Sequence, residues 1–221
     1  MTSSRRLDII KKVMNNERGK FIVFEGLDGS GKTTQMGMLV NYLESKGRAC
    51  FSTREPTDSP FGEMLRSCLR GKIDTNEYTI AALFAADRLD HILESANGIK
   101  KKLDEGVNVF CDRYYFSSYA YNGEFVPFDW VVELNRIARE LMRPDLTIFI
   151  DLSSEESMRR VARRNEAERY ETVEKQQKIR ERFFKAFERF PEEKVAIVVS
   201  EEQKEATQAK IRKAVLPLFG L

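Results

Sequence analysis

Eight residues near the start of the chain, Gly26-Leu27-Asp28-Gly29-Ser30-Gly31-Lys32-Thr33, fit G-x-x-x-x-G-K-[ST] at every fixed position. Glycines in this pattern let successive backbone N–H groups point into one concavity, and the following helix adds its partial positive charge. Such a nest binds phosphate. Lys32 is expected to reach the β- and γ-phosphates of a nucleoside triphosphate, and the Thr33 hydroxyl to ligate Mg²⁺. Thr34 continues the loop into the helix. A tight turn with no ligand is the other reading, but a lysine at a helix N-terminus opposes the dipole unless an anion sits there.

Other residues suggest a second substrate. Asp28 puts a carboxylate inside an anion-binding loop, where it suits a sugar hydroxyl; it could also simply favour the turn. Phe84 and Arg88 are four apart, hence on one helical face, where a ring and a guanidinium could stack a base and bond its edge. A core Phe beside a solvated Arg has the same spacing. Asp112 could hold Mg²⁺-bound water while Arg113 grips a phosphate by a bidentate fork; a salt bridge between these two is the alternative. Met158 to Arg169 carries five arginines, of which Arg160 and Arg164 share a face. Arginines on a mobile segment could neutralise a transferring phosphoryl group, or form a surface charge network.

The elements that must position these residues alternate along the chain. Short apolar runs at 21–24, 49–53, 107–111, 146–150 and 195–199 are separated by helical patterns, the signature of a parallel sheet covered on both faces. The first long helix is predicted over 33–46, with Gly47 ending it. A charged stretch at 155–190 carries Val173, Gln177, Ile179, Phe183, Phe187 and Phe190 near one helical stripe. In open parallel sheets ligands bind beyond the carboxyl ends of the strands. Three such ends carry Glu25-Gly26, Arg54-Glu55 and Asp112-Arg113.

Composition removes several classes. Thirty-seven Lys and Arg against 35 Asp and Glu leave a net charge of +2, which argues against a nucleic-acid binder acting through gross positive charge. Cys50, Cys68 and Cys111 show no CxxC pairing and His91 is the one histidine, so a reduced, cytoplasmic protein without a zinc cluster is expected. No apolar stretch is long enough for a membrane span. The first 19 residues are basic without an apolar h-region; Leu7, Ile10 and Met14 recur there at helical spacing.

Four strings then carry a resemblance in order and spacing. They are Phe24 to Gln35; Thr53-Arg54-Glu55-Pro56; Leu83-Phe84-Ala85-Ala86-Asp87-Arg88; and Asp112-Arg113-Tyr114 continuing to Ser117-Ser118-Tyr119-Ala120-Tyr121. With no guanine-selective N-K-x-D present, the chain resembles the thymidylate kinase (dTMP kinase) family from about Phe21 onward. The resemblance implies a P-loop NTPase-type α/β three-layer sandwich, with a five-stranded parallel sheet, helices on both faces and a helical lid. It implies ATP as donor with Mg²⁺, dTMP as acceptor, and a homodimer. Residue by residue, it assigns Asp28 to the 3′-hydroxyl, Phe84 to stacking on thymine, Arg88 to O4 and Arg113 to the acceptor phosphate. Glu55, Pro56, Ser117 and Ser118 would line the acceptor site, and Tyr121 would exclude a 2′-hydroxyl. Because the P-loop has no Arg, the chain resembles members with a catalytic Arg in the lid; Arg164 comes first for the γ-phosphate, then Arg160, acting with Lys32, Arg113 and Asp28. The sequence departs from the family pattern at Thr57-Asp58, where many members carry Gly-Gly, at Asn122 and at Asn165. The expected organisation is an extension over 1–19 and one kinase domain over 20–221, with the lid at about 153–171. A kinase for dUMP or a deoxynucleoside, and a nucleotide-binding module without turnover, remain as alternatives.

Overall fold

The computed structural model describes residues 18–163 and 172–221. The helical pattern around Leu7 to Met14, Arg164, Asn165 and the remainder of the lid to residue 171 therefore lie outside the described residues.

Five strands form one parallel sheet in the order β2-β3-β1-β4-β5: β1 (Phe21–Gly26), β2 (Cys50–Arg54), β3 (Asn108–Asp112), β4 (Leu146–Asp151) and β5 (Val195–Val199). All five agree with the apolar runs to within a residue or two. The central strands are apolar on both faces because helices cover both. Ile22 and Phe24 pack with Leu39, Val40 and Leu43 of α1 (Lys32–Ser45). Phe21 and Val23 point the other way, into a second core. This alternation follows from the twofold period of the strand.

Between β2 and β3 run α2 (Pro60–Leu69), α3 (Glu77–Leu93) and α4 (Ile99–Asp104). Between β3 and β4 lie α5 (Tyr115–Tyr121), α6 (Phe128–Leu134) and α7 (Arg136–Leu141). The charged stretch before β5 holds α8 (Ser154–Arg163) and α9 (Val173–Arg189), and α10 (Lys204–Val215) follows β5. In α9 the buried stripe is Gln176, Ile179, Phe183 and Ala186. Gln177, placed on that stripe by the sequence reading, is exposed and donates to Glu181 at 3.2 Å. The offset arises because Gln176 and Phe183 are seven apart, two helical turns, whereas Gln177 falls a further 100° around.

The departure at Thr57-Asp58 has a structural counterpart. Asp87 accepts from the Thr57 amide at 2.9 Å, the Thr57 hydroxyl at 2.5 Å and the Ser59 hydroxyl at 3.1 Å. Asp58 accepts from Arg54 at 2.8 Å. Side-chain bonds thus fix the loop that follows the cis Glu55–Pro56 peptide.

Candidate active site

The phosphate loop joins β1 to α1. Gly26 has φ +146, and a Cβ there would lie 2.7 Å from the Ile150 carbonyl oxygen and 2.8 Å from the Ser30 hydroxyl. A side chain has no place at that position. Lys32 is buried, and its Nζ donates to the carbonyls of Gly26 at 3.1 Å and Leu27 at 2.9 Å. Burial and the charge of Arg113 hold its pKa below the usual lysine range, while Asp28, Asp112 and Glu25 pull it back up.

Two cavities meet at this loop. The first, about 610 Å³, runs from Asp28, Lys32 and Thr33 past Glu55 and Pro56 to Phe84, Ser117, Ser118 and Tyr121. The second, about 1240 Å³, lies between Gly29, Ser30, Gly31 and Thr34, the ends of β4 and β5, and Arg159, Arg160 and Arg180. Arg180 closes its wall through a two-bond fork on Asp151, at 2.6 and 2.8 Å.

Arg113 stands where the loop meets the first cavity. It follows β3 with φ +69. Its Nη2 donates to Asp28 Oδ1 at 2.5 Å and to the Tyr121 hydroxyl at 3.2 Å, and its Nη1 to the Ser117 hydroxyl at 3.0 Å. The guanidinium also lies 4.8 Å from the Tyr121 ring centroid. Arg113 therefore pairs with Asp28 across 85 residues, and not with its neighbour Asp112. Burial alone would raise the Asp28 carboxyl; the charges of Arg113 and Lys32, with hydrogen bonds from Arg113 and Tyr121, bring it down to about 2.

Glu25, which the sequence reading left without a role, organises this corner. It is fully buried. Oε1 accepts from the amides of Tyr114 and Ser117, at 2.9 and 3.1 Å, and Oε2 from the Ser117 hydroxyl at 2.5 Å. A directional chain results, in which Arg113 donates to Ser117 and Ser117 donates to Glu25. Burial pushes the Glu25 pKa from 4.5 up to about 7, against the opposing pull of Ser117 and Arg113. The folded chain therefore binds this proton more tightly than the unfolded chain. The resulting stability is complete below pH 4.5 and is lost as pH rises through about 7. Relative to Glu25→Gln, the wild type should lose on the order of 3 kcal/mol across that window, at about 1.4 kcal/mol per tenfold change in proton affinity. Urea unfolding of both proteins at each pH measures the difference; parallel profiles would contradict it.

Thr33 and Asp112, each assigned to Mg²⁺ from the sequence, meet. Thr33 Oγ1 donates to Asp112 Oδ2 at 2.7 Å, while Asp112 Oδ1 is buried and has no hydrogen-bond partner among the described residues. A hydroxyl beside a carboxylate oxygen left unpaired is an oxygen donor set suited to Mg²⁺.

Arg88 is only 1% exposed and lies behind the cavity wall. Its Nε donates to Glu55 Oε2 at 2.9 Å, Nη2 lies 2.7 Å from the same oxygen, and Nη1 reaches the Ser118 hydroxyl at 3.1 Å and the Asn135 side-chain oxygen. Phe84 and Ser118 line the cavity; Arg88 touches it through Ser118. His91 sits between Glu55 Oε1 at 3.1 Å and the Thr53 hydroxyl at 2.7 Å. Ligating atoms of Glu55, His91 and Cys111 lie within 4.8 Å of one another. Each already has a hydrogen-bond partner, since Arg88 bonds Glu55, Thr53 bonds His91 and Cys111 donates to the Arg113 carbonyl.

Arg160 also reaches the loop, with Nη1 3.5 Å from the Gly29 carbonyl and Nε donating to Glu156 at 2.6 Å. Asn135, Gln176 and Ser157 are further buried polar groups at the site that carry no pattern readable from sequence.

A parallel sheet, a phosphate loop at its central strand and a second cavity facing that loop define a P-loop phosphotransferase for a small acceptor. Residues 24–211 match the family model described as thymidylate kinase. A probable thymidylate kinase of Pyrococcus horikoshii is 40% identical over 190 residues, covering 83% of this chain and 90% of that protein. One of Pyrococcus abyssi is 38% identical over 210 residues, covering 91% and 100%. A thymidylate kinase of Desulfotalea psychrophila is 38% identical over 170 residues, covering 75% and 81%. The chain belongs to the thymidylate kinase family.

Proposed function

We infer that this chain phosphorylates dTMP to dTDP with ATP. The observation that carries the reading is the phosphate loop set between two cavities, with Asp28 and Arg113 paired on the wall of the smaller one. ATP would enter the larger cavity, with its β- and γ-phosphates on the Gly26–Thr34 loop and Lys32. In the smaller cavity dTMP would lie with its base against Phe84 and Ser118, its sugar between Asp28 and Tyr121, and its phosphate on Arg113. Glu55, Pro56 and Ser117 support that wall, and Arg88 acts on the base edge through Ser118.

An acceptor phosphate oxygen attacks the γ-phosphorus in line as the bond to the β–γ bridging oxygen breaks and ADP leaves. That oxygen is anionic at neutral pH, so no general base is needed. Catalysis then consists of positioning and charge neutralisation. Arg113 orients the nucleophile, Lys32 sits at the donor phosphates, and Arg160 and Arg164 of the lid at about 153–171 would cover the transferring group. Mg²⁺, held by Thr33 and Asp112, would neutralise charge on the donor phosphates.

An ADP-release assay with ATP, Mg²⁺ and a panel of nucleoside monophosphates tests the assignment. dTMP should be the fastest acceptor. Equal rates on dTMP and AMP would remove the specificity, and no turnover on any acceptor would leave a binding module. The single methyl that separates dUMP from dTMP is worth about 1–3 kcal/mol in an apolar pocket, so dUMP should be a slower substrate.

The remaining organisation is also our reading: one kinase domain over 20–221 after an extension at 1–19, working in the cytoplasm without nucleic acid or membrane. Three unpaired cysteines support a reducing compartment, and no helix among the described residues is long and apolar enough to cross a membrane. A homodimer is supported by Phe61 and Met64, half exposed and three apart on α2; sedimentation at micromolar protein would distinguish it from a monomer.

A further inference from the structure

The first lid helix, α8, is seated on the phosphate loop by contacts that the reaction as described does not use. Ser157 is fully buried. Its hydroxyl donates to the backbone carbonyl of Asp28 at 2.7 Å, across 129 residues. One residue on, Gly29 has φ +74, and a Cβ there would stand 3.0 Å from the Ser157 carbonyl oxygen and 3.1 Å from Arg160 Cβ. The helix and the loop thus touch backbone to backbone, and the missing side chain at Gly29 permits it.

The contact lies at the boundary between the two cavities. Val161 lines the smaller one and Arg160 the larger. Arg160 is three residues after Ser157, so the two side chains share a helical face. Fixing Ser157 against Asp28 fixes the height and rotation of that face over the loop. Arg160 is further steadied by Glu156, which accepts from its Nε at 2.6 Å and from Arg159 at 2.5 and 2.7 Å. Glu156 aligns the guanidinium along the helix. Among the described residues Ser157 is the one that ties the polar face of the helix to Asp28, and Asp28 is also the partner of the acceptor-site arginine.

We propose that Ser157 is a positioning residue for phosphoryl transfer, its buried hydroxyl holding α8 on the Asp28 carbonyl so that Arg160 is registered beside Gly29. This rests on the reading that Arg160 serves the transferring phosphates. A misplacement of about 1 Å at a charged group is enough to lose most of its effect on a rate. Ser157 lies in a helix, and alanine is the best helix former, so Ser157→Ala should fold.

The test is a double-mutant cycle in the full-length protein, with kcat and the Km for each substrate measured by ADP release from ATP and dTMP, and folding checked by circular dichroism. Ser157→Ala should lower kcat about tenfold and Arg160→Ala about a hundredfold, as for loss of one transition-state donor. The Km for dTMP should stay near the wild-type value in both. The double variant should be no slower than Arg160→Ala, because the serine acts through the arginine. Multiplied losses in the double variant would overturn the proposal, as would a Ser157→Ala enzyme at wild-type rate beside a slow Arg160→Ala. An Arg160→Ala enzyme at wild-type rate would instead remove the role of Arg160 itself, and the proposal with it.

Discussion

Arg113→Ala should lower kcat/Km for dTMP by about 10³-fold while the Km for ATP stays close to the wild-type value, because a bidentate, charge-assisted grip on the acceptor phosphate is lost at the reacting end of the substrate. The effect is large because the side chain has two duties. It pairs with Asp28 and Ser117, and it lines the cavity where the acceptor phosphate would lie. Without it, Lys32 is the remaining positive charge among the groups that shift Asp28, and the nucleophilic phosphate meets a carboxylate. Arg113→Lys should recover only part of the loss, since an ammonium cannot reproduce the guanidinium fork. Steady-state kinetics with dTMP varied at saturating ATP measure both variants. A change below tenfold for the alanine variant would move the acceptor phosphate away from Arg113.

The sheet and the phosphate loop were legible in the sequence because both depend on local pattern. Strands buried on both faces read as unbroken apolar runs, and the loop glycines are required by backbone geometry within eight residues. Thr33 and Asp112, each assigned to Mg²⁺ from its own motif, come within hydrogen-bond distance because each stands at the end of a recognisable element. Contacts made across the chain were not legible. Arg113 could be read as gripping a phosphate or as bonded to Asp112 beside it, and the structure gives it Asp28. Glu25 looked like the last residue of a strand; its bonds to Tyr114 and Ser117 span about 90 residues. Ser157 is one short polar residue in a charged helix, and nothing in its neighbours signals that it faces the loop. Residues 176 and 177 are both glutamine, so only the phase of the helix decides which one is buried. Arg88 was read as one of two residues presenting a helical face to a base. The spacing was right, but the guanidinium is held by Glu55, Ser118 and Asn135, from three other segments.

That burial sets the second large effect. Arg88→Met should destabilise the protein by about 4 kcal/mol, within the roughly 3–5 kcal/mol found when one partner of a buried ion pair is removed. Arg88 and Glu55 expose 1% and 2% of their side chains, so water cannot take over the solvation of the carboxylate left behind. Glu55 would keep only His91 among its two cationic or donor partners, and Ser118 and Asn135 would each lose an N–H donor. For a chain of this length, about 2–4 °C per kcal/mol converts the loss into a fall of about 10 °C in Tm. The double variant Arg88→Met/Glu55→Gln should recover part of that fall, because it removes the stranded charge and keeps an acceptor for His91. A single variant melting within about 3 °C of wild type would mean that the pair contributes no more than an exposed one does. The same variants separate structure from recognition. If Arg88 acts on the acceptor base through Ser118, the double variant should still show a raised Km for dTMP after its stability has partly returned.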